Sequence, residues 1–150
     1  MREEIQNPFA GNHCFFCGSD NSEGLHLKFY WDQEKQEASA EYMPDRRFAG
    51  QGDIVHGAIQ MGLLDEIMGW TSYAATQEMA VTSALNVRFL RPTYIRGEKV
   101  TLRCRVTSRE GRKVNMHATL TNNQGEECTT ATGTFHILPA AKYQDLIYGK

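Results

Sequence analysis

The sequence predicts an α+β fold in which one long helix is covered by an antiparallel β-sheet. Two observations lead there. The stretch from Ile54 to Trp70 is apolar on nearly every side, as expected of a helix wrapped by protein on all faces. The segments after it have strand periodicity and are joined by short turns. Leu102, Cys104 and Val106 alternate with Arg103, Arg105 and Thr107, the pattern of an antiparallel sheet with one covered face.

Residues 1–23 read as irregular, with turn formers at Asn7-Pro8, Gly11-Asn12 and Gly18-Ser19-Asp20-Asn21. Leu25 to Trp31 alternates as a strand should, Ala38 to Tyr42 is its partner, and Asp32-Gln33-Glu34-Lys35 makes the polar hairpin between them. Pro44 to Asp53 is a loop. The helix is expected from about Val55 to Tyr73 or Ala75. Strands follow over Ala80–Leu90, Glu98–Thr107, Lys113–Thr121 and Glu127–Leu138, separated by Arg91-Pro92, Arg109–Arg112 and Asn122–Gly125. Pro139 ends the last strand, and a short helix is expected over Lys142–Tyr148. With no repeat, linker or low-complexity tract, residues 1–150 are expected to form one domain.

Composition narrows the function classes. A 41% hydrophobic and 23% charged chain is ordinary for a globular protein. A net charge of -2 argues against a dedicated nucleic-acid binder. No apolar run approaches the roughly 20 residues that cross a bilayer, and the N-terminus lacks the order of a secretory signal. The expected location is cytoplasmic, with neither nucleic acid nor membrane as partner. The four cysteines are then expected as thiols or metal ligands rather than disulfides.

Asp65-Glu66 is the acidic pair inside the apolar helix, and ionised carboxylates are seldom left there without a partner or a task. His56-Gly57 stands where the helix should begin, and a helix start offers unpaired N–H groups to a developing negative charge. A carboxylate, a helix start and a dry setting are the parts of an acyl-transfer site.

His56-Gly57-Ala58 with Asp65 nine positions after the histidine resembles the hotdog-fold acyl-CoA thioesterases of the phenylacetate-pathway and 4-hydroxybenzoyl-CoA type. Asn86-Val87-Arg88-Phe89-Leu90-Arg91-Pro92 resembles that family's strand after the central helix, and Gly111-Arg112 and Gly133-Thr134-Phe135 add weaker support. The resemblance implies a hotdog fold assembled as dimers or tetramers, and acyl-CoA hydrolysis without metal or cofactor. By position it implies that Gly57 donates its N–H to the thioester carbonyl and that Asp65 is the general base or nucleophile. Thr82 would help hold the attacking water, and His56 would shape the pocket. Two departures stand out: Ala58 replaces the second glycine of the usual His-Gly-Gly, and Gly50 stands where the family often has Asn or Gln, with Gln51 beside it.

Helix geometry adds a condition. Nine residues place Asp65 roughly 13 Å along the axis from His56 and about half a turn round. One thioester cannot touch both within one chain, whereas antiparallel helices of a symmetric dimer bring Asp65 of one chain to Gly57 of the other.

The remaining candidates divide by chemistry. Gln51 is the polar pocket candidate, and Arg88, Arg91 and Arg112 are the candidates for CoA phosphates, which guanidinium forks suit. Glu66 must point about 100° from Asp65 and is expected at solvent or against a basic residue. Trp31, Trp70 and Tyr73 are expected in the core or an interface. Cys14-Phe15-Phe16-Cys17 is half of a common zinc site, but no second Cys-x-x-Cys occurs, and Cys104 and Cys128 stand alone. The expectation is no metal, with the aromatic pair sealing part of the core or pocket mouth. The competing functions are a non-catalytic acyl-CoA sensor and a hotdog dehydratase or hydratase acting on acyl thioesters.

Overall fold

The computed structural model describes residues 1–8 and 12–150, so the turn expected at Gly11 lies outside the described residues. The chain runs β1 (Arg2–Glu4), β2 (Tyr30–Asp32), β3 (Glu37–Tyr42), a 3-10 turn (Arg46–Phe48), α1 (Gly57–Thr76), β4 (Ala80–Phe89), β5 (Val100–Glu110), β6 (Lys113–Thr121), β7 (Glu127–Ile137) and α2 (Ala140–Ile147). The strands form one seven-stranded antiparallel sheet in the order β1-β2-β3-β5-β6-β7-β4. Helix α1 packs against β3, β4, β5, β6 and β7, so the sheet wraps it as the hotdog arrangement requires.

Alternation decides which sheet face meets the helix. Val100, Leu102 and Cys104 of β5, and Val114, Met116, Ala118 and Leu120 of β6, are buried, while the residues between them are more accessible. Leu63, Leu64, Ile67 and Met68 of α1 complete this core. Helix and sheet approach closely at Gly133, where an added Cβ would clash with Met68 Sδ.

The helix start is built locally. His56 is the N-cap, and its Nδ1 accepts from Ala58 N at 2.9 Å, while its carbonyl accepts from the N–H groups of Ile59 and Gln60. Buried Gln60 ties the start to the sheet: its amide donates to the Val55 carbonyl at 2.8 Å, and its Oε1 accepts from the hydroxyls of Thr93 and Thr129. At the other end Gln77 takes a left-handed conformation, φ 60, and its N–H donates to the Tyr73 carbonyl.

Several boundaries differ from the sequence reading. Of the strand expected over Leu25–Trp31, only Tyr30 and Trp31 join the ladder, which extends to Asp32. His26 has φ 53, which breaks the extended run, and Leu25 and Leu27 donate instead to the carbonyls of Phe15 and Phe16. The side-chain pattern survives, since Leu27 and Phe29 are buried. The segment read as irregular contributes β1, whose three residues are all exposed. Strand β5 begins at Val100 rather than Glu98 and continues to Glu110, and the last helix begins two residues earlier than expected. No helix of the described residues is long and apolar enough to cross a membrane.

Candidate active site

Asp65 lies on the more open stripe of α1, near the partly accessible Gly62 and Gly69 and one turn after exposed Met61. Its Oδ1 accepts a 2.7 Å hydrogen bond from Thr82 Oγ1 on β4. A bulge makes this contact possible. Thr82 pairs with Phe135 and Ala84 with Thr134, leaving Ser83 as the extra residue. Strict alternation would put Thr82 and Leu85 on opposite faces, whereas here Thr82 bonds to α1 and Leu85 packs on the core beneath it. The hydroxyl engages one of the two carboxylate oxygens.

Gly57 is the first residue of α1. The N–H groups of Ala58, Ile59 and Gln60 are taken by His56, which leaves that of Gly57 as the helix-start donor available to a ligand. By accepting at Nδ1, His56 caps the helix start. The Phe89 ring lies over Gly57, where an added Cβ would be 3.3 Å from it. Gly50, at the departure from the family pattern, packs on His56: an added Cβ would be 3.2 Å from the His56 Cα.

The structure thus joins Asp65 to Thr82 and His56 to Gly57, with the two pairs about two turns of helix apart. The other candidates are dispersed. Gln51 is exposed, with its carbonyl closing a turn to Ile54 N. Arg91 is held by Glu126 at 2.6 Å and by the Glu127 carbonyl at 3.1 Å. Arg88 and Arg112 are exposed. Strand β4 ends the sheet, so one of its edges has no neighbouring strand among the described residues, and Phe89 and Leu90 at its end are exposed.

Glu66 corrects its expectation. It points neither to solvent nor to a base but under the turn carrying Cys14 and Cys17. Cys14 Sγ lies 3.5 Å from Glu66 Oε1, and Trp70 Nε1 donates to the same oxygen at 3.2 Å. Burial pushes the Glu66 carboxyl up to about 7. Cys14 is lowered to about 5, chiefly by a hydrogen bond from the Cys17 thiol and also by the N–H groups of Cys17 and Phe16, against the opposing effect of burial. Cys17 moves up, because its proton is held toward Cys14 and because it is buried near Glu66. No periodicity reports this approach, since it joins residues 52 positions apart. Trp70 and Tyr73 line the cavity beside the cluster, and Trp70 also stacks on Phe29 with centroids 6.1 Å apart.

The sequence profile of the thioesterase superfamily matches residues 52–129, just over half of the chain. The chain belongs to the thioesterase superfamily. Solved members have its fold at low identity. A thioesterase superfamily protein is 22% identical with a TM-score of 0.74, and the match covers 83% of this chain and 60% of that one. This chain therefore spans well under two thirds of that relative's length. The Escherichia coli PaaI protein of the phenylacetic acid degradation operon is 19% identical with a TM-score of 0.65, over 69% of this chain and 74% of its own. The Streptococcus mutans protein smu.793, solved bound to acetyl-CoA, is 20% identical with a TM-score of 0.64, over 69% and 82%. No curated protein sequence matches the chain.

Thr82 offers a direct check on this candidate site. Thr82→Val removes the hydroxyl that orients Asp65. Misplacing a reacting group by about 1 Å can cost on the order of a hundredfold, so thioester turnover is expected to fall roughly ten- to hundredfold. Thr82 is exposed, so the melting temperature should hardly move; steady-state kinetics with thermal melts measure both.

Proposed function

We propose that this protein is an acyl-CoA thioesterase, releasing free CoA and a carboxylic acid, and that it works as a symmetric dimer or a tetramer built from such dimers. The observation that carries the reading is the Asp65 carboxylate, oriented by Thr82 on the open stripe of the central helix. Thioesterase-superfamily membership and a structural relative bound to acetyl-CoA support the substrate class.

Attack on the thioester carbonyl builds negative charge on its oxygen. The partner subunit's Gly57 donates its N–H to that oxygen, a contribution of about 3 kcal/mol to the transition state. Asp65 either takes a proton from the attacking water or attacks the carbonyl itself, in which case water then hydrolyses the resulting acyl–Asp65 anhydride to release the carboxylic acid and restore the carboxylate. The C–S bond then breaks, and the CoA thiolate leaves and takes up a proton. His56 holds the helix start in place, and Gln51 borders the acyl group. Arg88, Arg91 and Arg112 contact the CoA phosphates, with Arg91 exchanging Glu126 for phosphate. The reaction needs no cofactor.

Thiol release from a panel of acyl-CoAs, short, long and aromatic, tests the activity. Hydrolysis of at least one member at enzymatic rates is the expected result. Tight binding without release would instead identify a sensor, and gain or loss of water in the acyl chain a hydratase or dehydratase.

A further inference from the structure

We infer that Cys14, Cys17 and Glu66 form a zinc(II) site with three protein ligands and a fourth position facing the adjoining cavity. Their ligand atoms, one from each residue, all lie within 4.8 Å of one another. A tetrahedral zinc with Zn–S of about 2.3 Å and Zn–O of about 2.0–2.2 Å sets sulfur and oxygen ligands roughly 3.5 Å apart. Cys14 Sγ and Glu66 Oε1 are 3.5 Å apart. The carboxylate on α1 thus stands in place of the second Cys-x-x-Cys that the chain lacks.

The surroundings fit a cation. Cys14 and Cys17 sit on a tight turn closed by Gly18 N donating to the Cys14 carbonyl at 2.9 Å. The turn requires glycine next, since a Cβ at Gly18 would be 2.4 Å from Cys14 N. Outer contacts hold two of the ligands: Trp70 Nε1 donates to Glu66 Oε1, and Asn12 Nδ2 to Cys17 Sγ at 3.9 Å.

Charge balance points the same way. The adjoining cavity of about 360 Å³ is lined by Trp70, Tyr73 and Tyr143 among others, and among the described residues no lysine, arginine or histidine lines it. Two thiols and a largely buried carboxyl therefore converge without a protein cation to offset them. Two thiolates favour zinc over the hard oxygen-seeking cations, and the open position takes a water. Binding releases the ligands' protons to solvent and joins the N-terminal segment to α1, where the Phe16 ring already seats on Gly62 with no room for a Cβ.

The test uses the full chain, purified without a metal-affinity tag from zinc-supplemented cells. Elemental analysis is expected to find about one zinc per chain, held more tightly than ~1 µM against a competing chelator. Replacement by cobalt(II) should give an intense thiolate-to-cobalt charge-transfer band with tetrahedral ligand-field bands. Cys17→Ser and Glu66→Gln should each weaken zinc binding more than about tenfold. Wild-type protein with negligible zinc and no cobalt–thiolate band would overturn the site. So would a Cys14–Cys17 disulfide in protein kept under reducing buffer, seen as a two-hydrogen mass loss. Both metal readouts are independent of hydrolysis, so this site stands or falls apart from the proposed activity.

Discussion

Asp65→Asn is expected to lower thioester turnover by about 10²–10⁴-fold while leaving the fold intact. The amide can neither accept the proton of water nor attack a carbonyl, so either route through Asp65 closes. The fold should survive because Asn retains an oxygen able to accept from Thr82 Oγ1, now 2.7 Å from the carboxylate. A stability change within about 1 kcal/mol would move the melting temperature by roughly 2–4 °C at this chain length. Thiol-release kinetics and thermal melts on the same preparation separate the two effects. Near-normal turnover in the variant would remove Asp65 from the mechanism.

Gly57→Pro should cost about 10²–10³-fold in kcat, because it deletes the N–H assigned to the carbonyl oxygen. The change is benign for the helix. Proline is favoured at the first helical position, where its missing N–H has no intrahelical role. His56, the residue before it, has φ -55 and ψ 136, the extended conformation that precedes proline comfortably. The Phe89 ring over Gly57 must yield slightly to any side chain, so Gly57→Ala is the matched control and should lose far less activity. Comparable losses in Ala and Pro variants would show that space, not the donor, matters there. Co-expressing the two defective chains tests the dimer condition. A heterodimer of Asp65→Asn with Gly57→Pro carries one site with both groups intact, so activity should return to about half of wild type in purified heterodimer and about a quarter in a randomly paired mixture. Failure of complementation, with both chains folded and paired, would sink the shared site.

How far the site was legible follows from the range of each signal. Spacing put His56 and Gly57 at the helix start and Asp65 about two turns on, because helical rise and rotation relate residues a few turns apart, while the roles proposed for them came through the family resemblance. Thr82 could be assigned only through the family resemblance. Its side chain reaches Asp65 because a bulge at Ser83 resets the alternation of β4, and no propensity marks that extra residue. Arg91 was a fair phosphate candidate from its charge, yet the structure engages it with Glu126, an ion pair between segments 35 residues apart. Leu25–Phe29 shows a subtler case: Leu27 and Phe29 are buried in keeping with the alternation, but His26 turns left-handed and the backbone pairs elsewhere.

By itself the sequence determined the long apolar helix, the four strands after it and the carboxylate on that helix, because periodicity and turn chemistry act over a few residues. Only the tertiary structure decided what comes to lie against each face. It laid β4 and Thr82 beside Asp65, and the Cys14–Cys17 turn over Glu66, 52 residues away. The physical reason is that a residue's neighbours along the chain set the direction of its side chain, while packing between distant segments sets what that side chain meets.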